Sequence, residues 1–300
     1  MQTKCKMRPA LLLALALAAP NLRANDQKGQ QENGQQGKGQ QGLCEGLPSH
    51  AQLQAALKSV VDVGGTNNSG FGLNMWASTV NRDGEVCAVA FTGQDRGDQW
   101  PGSRVISAQK ANTANGLSLG EGSHIPAGNF KNGLALSTAN LYSAVQPGGS
   151  LYGLQHSNPV DATAAYQGNA TLFGTANDPL VGDRVGGINV FGGGLVLMTT
   201  GGIRVGGVGV SGDTSCTDHM VAWRVRSSLG LDHFGQKNAA VGGVSGDATH
   251  PDNIIFDITP TPEGGLLNPG GTLSKSAGGF GHPQCLNNPD LSTLPPVRNP

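Results

Sequence analysis

The chain has 300 residues, with 19 basic and 20 acidic side chains for a net charge of −1, 48 glycines, and only 13% charged residues. It contains no basic block, which speaks against nucleic acid or an anionic membrane surface as partner, and its glycines follow no G-X-Y period, which excludes collagen. Its length suffices to bury a core in one large domain or two small ones.

Residues 1–24 read as a secretory signal peptide. Lys4, Lys6 and Arg8 precede the apolar run from Ala10 to Ala19, and Ala24 offers a small residue for cleavage. The run is shorter than the roughly 20 residues of a membrane-spanning helix, and no later segment is apolar enough to span. Removing the signal takes four basic residues and no acid, so 15 basic side chains face 20 acids and the net charge becomes −5. The expected location is periplasmic or secreted. Residues 25–42, NDQKGQQENGQQGKGQQG, cannot bury enough apolar surface to fold and read as a disordered linker. Residues 43–300 are then a single domain.

LPSHAQLQAALKSVVDVGG opens that domain. Ser49 and Gln52 form a capping box, Leu53, Ala56, Leu57, Val60 and Val61 recur at helical spacing, and Gly64-Gly65 ends the helix. His50 sits on its surface and reads as solvated. GLNMWASTVNRDGEVCAVAF is a hairpin turning at Asp83-Gly84. In TGQDRGDQWPGSR, Asp95, Arg96 and Asp98 form a tight polar loop with Trp100 packing beneath it. The helix that follows turns Val105, Ala108, Ala111 and Thr113 inward.

Residues 120–185 are an irregular insertion too long for an idle loop, and Leu141, Tyr142, Leu151, Tyr152 and Leu154 argue that it is ordered. A second hairpin, INVFGGGLVLMTTGGIRVGGVGVSGD, leads through a polar stretch into a last helix carrying Val221, Val225, Ser228 and Leu229 on one face and ending at Gly230. Residues 235–300 form a Gly/Pro-rich tail in which NIIFDI reads as an extra edge strand. Two hairpins make an antiparallel sheet that helices must cover, so the fold class is α+β.

Three stretches together resemble the GlcG/HbpS-type haem-binding family: Lys110-Ala111-Asn112-Thr113-Ala114, the Gly192-Gly193-Gly194 strand, and Gly207-Val208-Gly209-Val210-Ser211-Gly212 running into the last helix. The resemblance covers roughly residues 48–119 and 186–232. It implies a profilin-like antiparallel sheet of about five strands flanked by helices, a homo-oligomer, and haem as the bound cofactor. The insertion and the tail have no counterpart in short members of the family. Two other classes stay open beside haem storage, scavenging or sensing: an enzyme acting on a small carboxylate or degrading haem, and a structural or assembly protein without ligand.

The polar stretch before the last helix admits several readings. Asp213 or Ser215 can cap the helix, with Asp218 in its first turn favoured by the dipole. Ser211, Gly212, Asp213, Thr214 and Ser215 can form a backbone cradle for an anion such as a haem propionate. Cys216 with His219 makes a nucleophile pair on paper, and Asp213, Asp218 and His219 a metal set, although neither matches a tight motif. For the iron, a histidine is the usual ligand. His156 is favoured because apolar and aromatic residues precede it, with His124, His219 and Thr113 as further candidates. No GxSxG nucleophile elbow, P-loop or HExxH pattern is expected.

Cys5 leaves with the signal, and the even remainder, Cys44, Cys87, Cys216 and Cys285, favours two disulfides. A first helix of about 22 Å whose following strand returns alongside it places the Asp83-Gly84 turn near the helix start, which pairs Cys44 with Cys87. Cys216 then pairs with Cys285 and staples the tail, which has little apolar surface of its own.

Overall fold

The computed structural model describes residues 43–64, 68–123, 125, 130–235, 240–258 and 276–298, all within one unit, Gln40–Pro300. The signal peptide, the linker and His124 lie outside the described residues.

Helix α1 (His50–Val60) begins in the capping box: Ser49 Oγ accepts from the Gln52 amide, and the Gln52 side chain accepts from the Ser49 amide at 2.9 Å. The helix ends at Val60, short of Gly64, because Val61 turns extended and branched residues at the end of a helix lose side-chain freedom by continuing it. Strands β1 (Trp76–Asn81) and β2 (Val86–Phe91) form the first hairpin. Its turn uses Gly84 at φ +79°, while Asn81 Oδ1 accepts from the amides of Asp83 and Glu85. Helix α2 (Ser103–Gly116) follows, and Trp100 before it stays 54% exposed rather than packing under the polar loop. In that loop Asp98 accepts from the amides of Gln94 and Asp95.

The insertion contributes β3 (Leu134–Ala135) and two short helices, α3 (Leu141–Ala144) and α4 (Ala162–Tyr166). The second hairpin is β4 (Gly194–Thr199) and β5 (Ile203–Ser211), followed by α5 (Ser215–Ser228) and, in the tail, β6 (Gly242–Gly243).

The main sheet is antiparallel in the order β2-β1-β5-β4. It has four strands where about five were expected. At the β4 edge the chain after α5 makes a single bridge, Met198 with Asp232, and then turns away so that the Phe234 amide donates to the Arg298 carbonyl. NIIFDI likewise forms no strand and makes only the bridge from Ile258 to Pro283.

The two faces of the sheet bury separate cores. Leu53 and Leu57 of α1 and Met220, Val221, Trp223 and Val225 of α5 pack on Val208 and Val210, while Val105, Ala108 and Ala111 of α2 pack on Trp76, Val80 and Val89 with Leu180 and Val185 of the insertion. The alternation in β5 explains its glycines. Val208 and Val210 face α1 and α5, whereas a Cβ on Gly209 would lie 1.9 Å from the Ser107 carbonyl of α2, so only glycine admits that helix.

The insertion and the tail are each held by a buried ion pair. Arg104 of α2 pairs with Asp178 of the insertion and lies 3.6 Å over the Phe173 ring. Arg226 of α5 makes two bonds to Asp252 of the tail, at 2.6 and 2.9 Å. Both disulfides are formed, Cys44–Cys87 with Cα atoms 5.7 Å apart and Cys216–Cys285 at 6.2 Å. Among the described residues no helix is long and apolar enough to cross a membrane.

Candidate functional site

The turn from β5 into α5 is filled from within. Asp213 does not cap the helix. Its carboxylate accepts from the amides of Phe71 (3.0 Å), Leu73 (3.2 Å) and Thr214 (2.6 Å), which ties the segment before β1 to the start of α5. Thr214 is the cap, its Oγ1 accepting from the Thr217 amide. Ser211 ends β5 opposite Trp76, and the Gly212 carbonyl accepts from Gln99 at 2.6 Å. Asp218 Oδ1 takes the Asp213 amide and its Oδ2 takes Lys110 Nζ at 2.6 Å. Two carboxylates of the chain thus already occupy amides that the cradle would offer to a ligand.

Lys110 of the Lys-Ala-x-Thr-Ala stretch is fully buried. It also donates to the Val210 carbonyl and lies 4.9 Å from the Phe191 ring centroid. Burial pushes its amine below the usual lysine range, and Asp218 opposes that shift; burial also pushes Asp218 up to about 6 against the pull of Lys110. Thr113, the other polar residue of that stretch, is buried too. Its hydroxyl donates to the Gln109 carbonyl of its own helix and accepts from the Asn189 amide.

Ser215, expected as a cap, has another partner. Its Oγ accepts from the Gly192 amide at 2.6 Å and lies 2.7 Å from His282 Nε2. His282 Nδ1 donates to the Pro283 carbonyl at 2.6 Å, which leaves Nε2 as the acceptor for the Ser215 hydroxyl. Burial pushes the His282 imidazole down to about 4, with the charge of Lys110 adding to the shift, so the ring is neutral at pH 7. The cysteine after Ser215 and the one three residues after His282 are the bridge Cys216–Cys285. This bridge removes the Cys216 thiol from nucleophilic chemistry. Cys216, His282 and Cys285 are the one histidine, cysteine or carboxylate cluster of metal-binding size among the described residues, and its two sulfurs are already bonded to each other. The set Asp213, Asp218 and His219 does not converge.

His219 is fully buried, with Nε2 against Asn253 Oδ1 (3.1 Å) and the Ile254 amide (3.2 Å), and burial pushes it down to about 4. His156 is exposed in a turn of the insertion, edge-on to Tyr152. A Gly-x-Ser-x-Gly string centred on Ser118 falls at the C-terminal end of α2, where Ser118 is buried and bonded to the Leu136 backbone.

His50 is half-buried rather than solvated, because α1 lies along the free edge of β2. There His50 Nδ1 donates to the Val89 carbonyl at 2.7 Å, and Gln54 donates to the Phe91 carbonyl. The bond fixes the tautomer: Nδ1 carries the proton, and Nε2 is a lone pair with no hydrogen-bond partner among the described residues. His50 lines a cleft of about 240 Å³ together with Gln54, Phe91, Arg96, Phe173 and the backbone around Gly93. One wall is therefore the polar loop after β2 and another is the insertion. Phe91 is stacked on Trp76 at 4.2 Å, and Phe173 is backed by Arg104, so both aromatic walls are braced.

No protein-family model matches the chain, and no curated protein matches it. Solved structures do. One is Klebsiella pneumoniae ORFY, a DUF336 protein, at 24% identity over 61% of this chain and 90% of that one, with a TM-score of 0.38. Another is a PduOC–haem complex, at 20% identity over 59% of this chain and 89% of that one, TM-score 0.37. A double mutant of Streptomyces reticuli HbpS matches at 14% identity over 72% of this chain and 99% of that one, TM-score 0.35.

Proposed function

We propose that this protein binds haem or a similar tetrapyrrole outside the cytoplasm, for storage, scavenging or sensing, and that His50 is the iron ligand. The observation that carries the reading is the His50 imidazole, with Nδ1 pinned to the Val89 carbonyl and Nε2 left unpaired in a cleft walled by Phe91 and Phe173. An imidazole whose second nitrogen is held by a carbonyl is oriented and made more basic, as metal-ligating histidines are. The residues present fit the group: His50 Nε2 would hold the iron, Phe91 and Phe173 would line the ring, and Arg96 would offer a cation to a propionate. The cleft is somewhat smaller than the roughly 300–1,000 Å³ of enclosed ligand pockets, so a bound tetrapyrrole stands partly outside it. Bound haem supplies a redox-active iron centre. The chain's part is to hold and orient it.

Export belongs to the same proposal. It is supported by the basic, apolar and small-residue order of residues 1–24 and by two disulfides. A homo-oligomer, which would cover the outer face of a partly enclosed ligand, is proposed with it. Haemin titration of the mature protein is expected to give a saturable Soret band with a defined stoichiometry, and Arg96→Ala to weaken binding about tenfold, the worth of a charge-assisted contact. A haemin spectrum unchanged by the protein contradicts the reading.

A further inference from the structure

We infer that Ser215 and His282 form a nucleophile–base pair able to take an acyl group from esters with acidic leaving groups. The pair lies apart from the His50 cleft and does not depend on the haem reading.

Three features of the geometry point there. The hydroxyl and the imidazole are 2.7 Å apart, within reach for proton transfer. A third group orients the base: the Pro283 carbonyl takes the Nδ1 proton, which leaves the Nε2 lone pair as the acceptor for the hydroxyl. The serine also stands where a nucleophile gains most from the backbone. It is the first residue of the 14-residue helix α5, directly after strand β5 and the turn Gly212–Thr214; the Thr217 and Asp218 amides are taken by Thr214, which leaves the positive end of the helix and the Ser215 and Cys216 amides as the source of oxyanion stabilisation. The Gly192 amide, 2.6 Å from Oγ, stabilises developing negative charge on the attacking oxygen.

The pair is also held and reachable. Cys216 and Cys285 flank it in sequence, so their bridge fixes the tail that carries His282 against the helix that carries Ser215. Tyr142 and Phe256 pack around the imidazole at 4.9 and 6.5 Å between ring centroids, while Ser215 remains partly exposed.

In the reaction Ser215 Oγ bonds to the ester carbonyl carbon as its proton passes to His282 Nε2. The carbon–oxygen bond to the leaving group then breaks, and the leaving oxygen takes the proton. Water attacks the acyl-serine, gives its proton through His282 to Ser215, and releases the carboxylic acid. The net change is ester plus water to acid plus alcohol or phenol. With burial lowering its basicity, His282 draws the serine proton off only weakly, so the pair favours esters whose carbonyl is already activated by an acidic leaving group and disfavours simple alkyl esters.

The test is labelling of the full disulfide-bonded protein with a fluorophosphonate probe, followed by peptide mapping, alongside hydrolysis of p-nitrophenyl acetate. The expected result is a covalent adduct on Ser215, lost in Ser215→Ala and formed at least about 100-fold more slowly in His282→Gln, with p-nitrophenyl acetate turnover falling in parallel. An unlabelled Ser215 in protein whose two disulfides are closed overturns the inference, as does equal labelling in His282→Gln. Should His282→Gln fail to fold, the parent protein decides alone: an adduct on Ser215 supports the pair, and its absence overturns it.

Discussion

The start of α5 and the cleft beside α1 are both rich in polar groups, yet they differ in what is left over. At the start of α5 each acid is taken up by the chain: Asp213 by three amides, Asp218 by an amide and the Lys110 ammonium. In the cleft, His50 has one nitrogen bonded and the other unpaired at a surface that solvent can reach. Polar density alone therefore marks architecture as readily as function. A ligand site is marked by a polar atom held in place but not consumed.

The comparison breaks most visibly if the two places respond alike to losing a side chain. Asp218→Ala leaves the Lys110 amine buried without its counter-ion and is expected to cost about 3–5 kcal/mol in a denaturant titration. His50→Ala removes one half-exposed hydrogen bond at a strand edge and is expected to cost no more than about 1 kcal/mol. A mild Asp218→Ala would mean that the α5 turn is looser than its bonding indicates.

Acidification sharpens the contrast between buried and cleft histidines. His219 sits near 4 in the fold and near 6.5 in the unfolded chain, so its contribution is fully present above pH 6.5 and is lost as pH falls towards 4. His282 acts in the same direction, whereas Asp218, raised to about 6, acts in the opposite one. The clean observable is a difference between proteins. Between pH 6 and 4.5 the stability of the parent should fall more steeply than that of His219→Gln, by about 1.4 kcal/mol per pH unit for the one proton at issue. Parallel pH curves for the two proteins would show that His219 is not held neutral by burial.

The smallest effect concerns the helix start. Thr214→Ala removes the cap and is expected to cost about 1 kcal/mol, leaving haemin titration unchanged. A change in haemin binding would instead place the ligand at the α5 turn.

Much of the frame was legible because it is written locally. The Ser49–Gln52 box, the Asp83-Gly84 turn and the alternating Val208 and Val210 declare themselves within a few residues. The disulfides followed from helix length and the return of a strand. The site was less legible because its bonds span the chain: Lys110 to Asp218 is 108 residues apart, and Arg104 to Asp178 is 74. His50 reads as a surface position on its own helix, since only the sheet edge beyond it shows why the ring is oriented. For Ser215 and His282 the signal was present but unused. Once Cys216 pairs with Cys285, a residue three positions earlier lies within about 10 Å of the bridge, and the neighbour of Cys216 is Ser215.

The central claim is that His50 holds the iron, and substitution at that position tests it most directly. Haemin is titrated into the mature protein, into His156→Ala and into His50→Gly, the last with and without free imidazole, and the Soret band is followed. The account predicts that His156→Ala titrates like the parent, that His50→Gly loses at least about tenfold in affinity, as metal sites do when a ligand or its support is removed, and that imidazole restores the band. A His50→Gly protein that binds haemin with the parent's spectrum and affinity would contradict it.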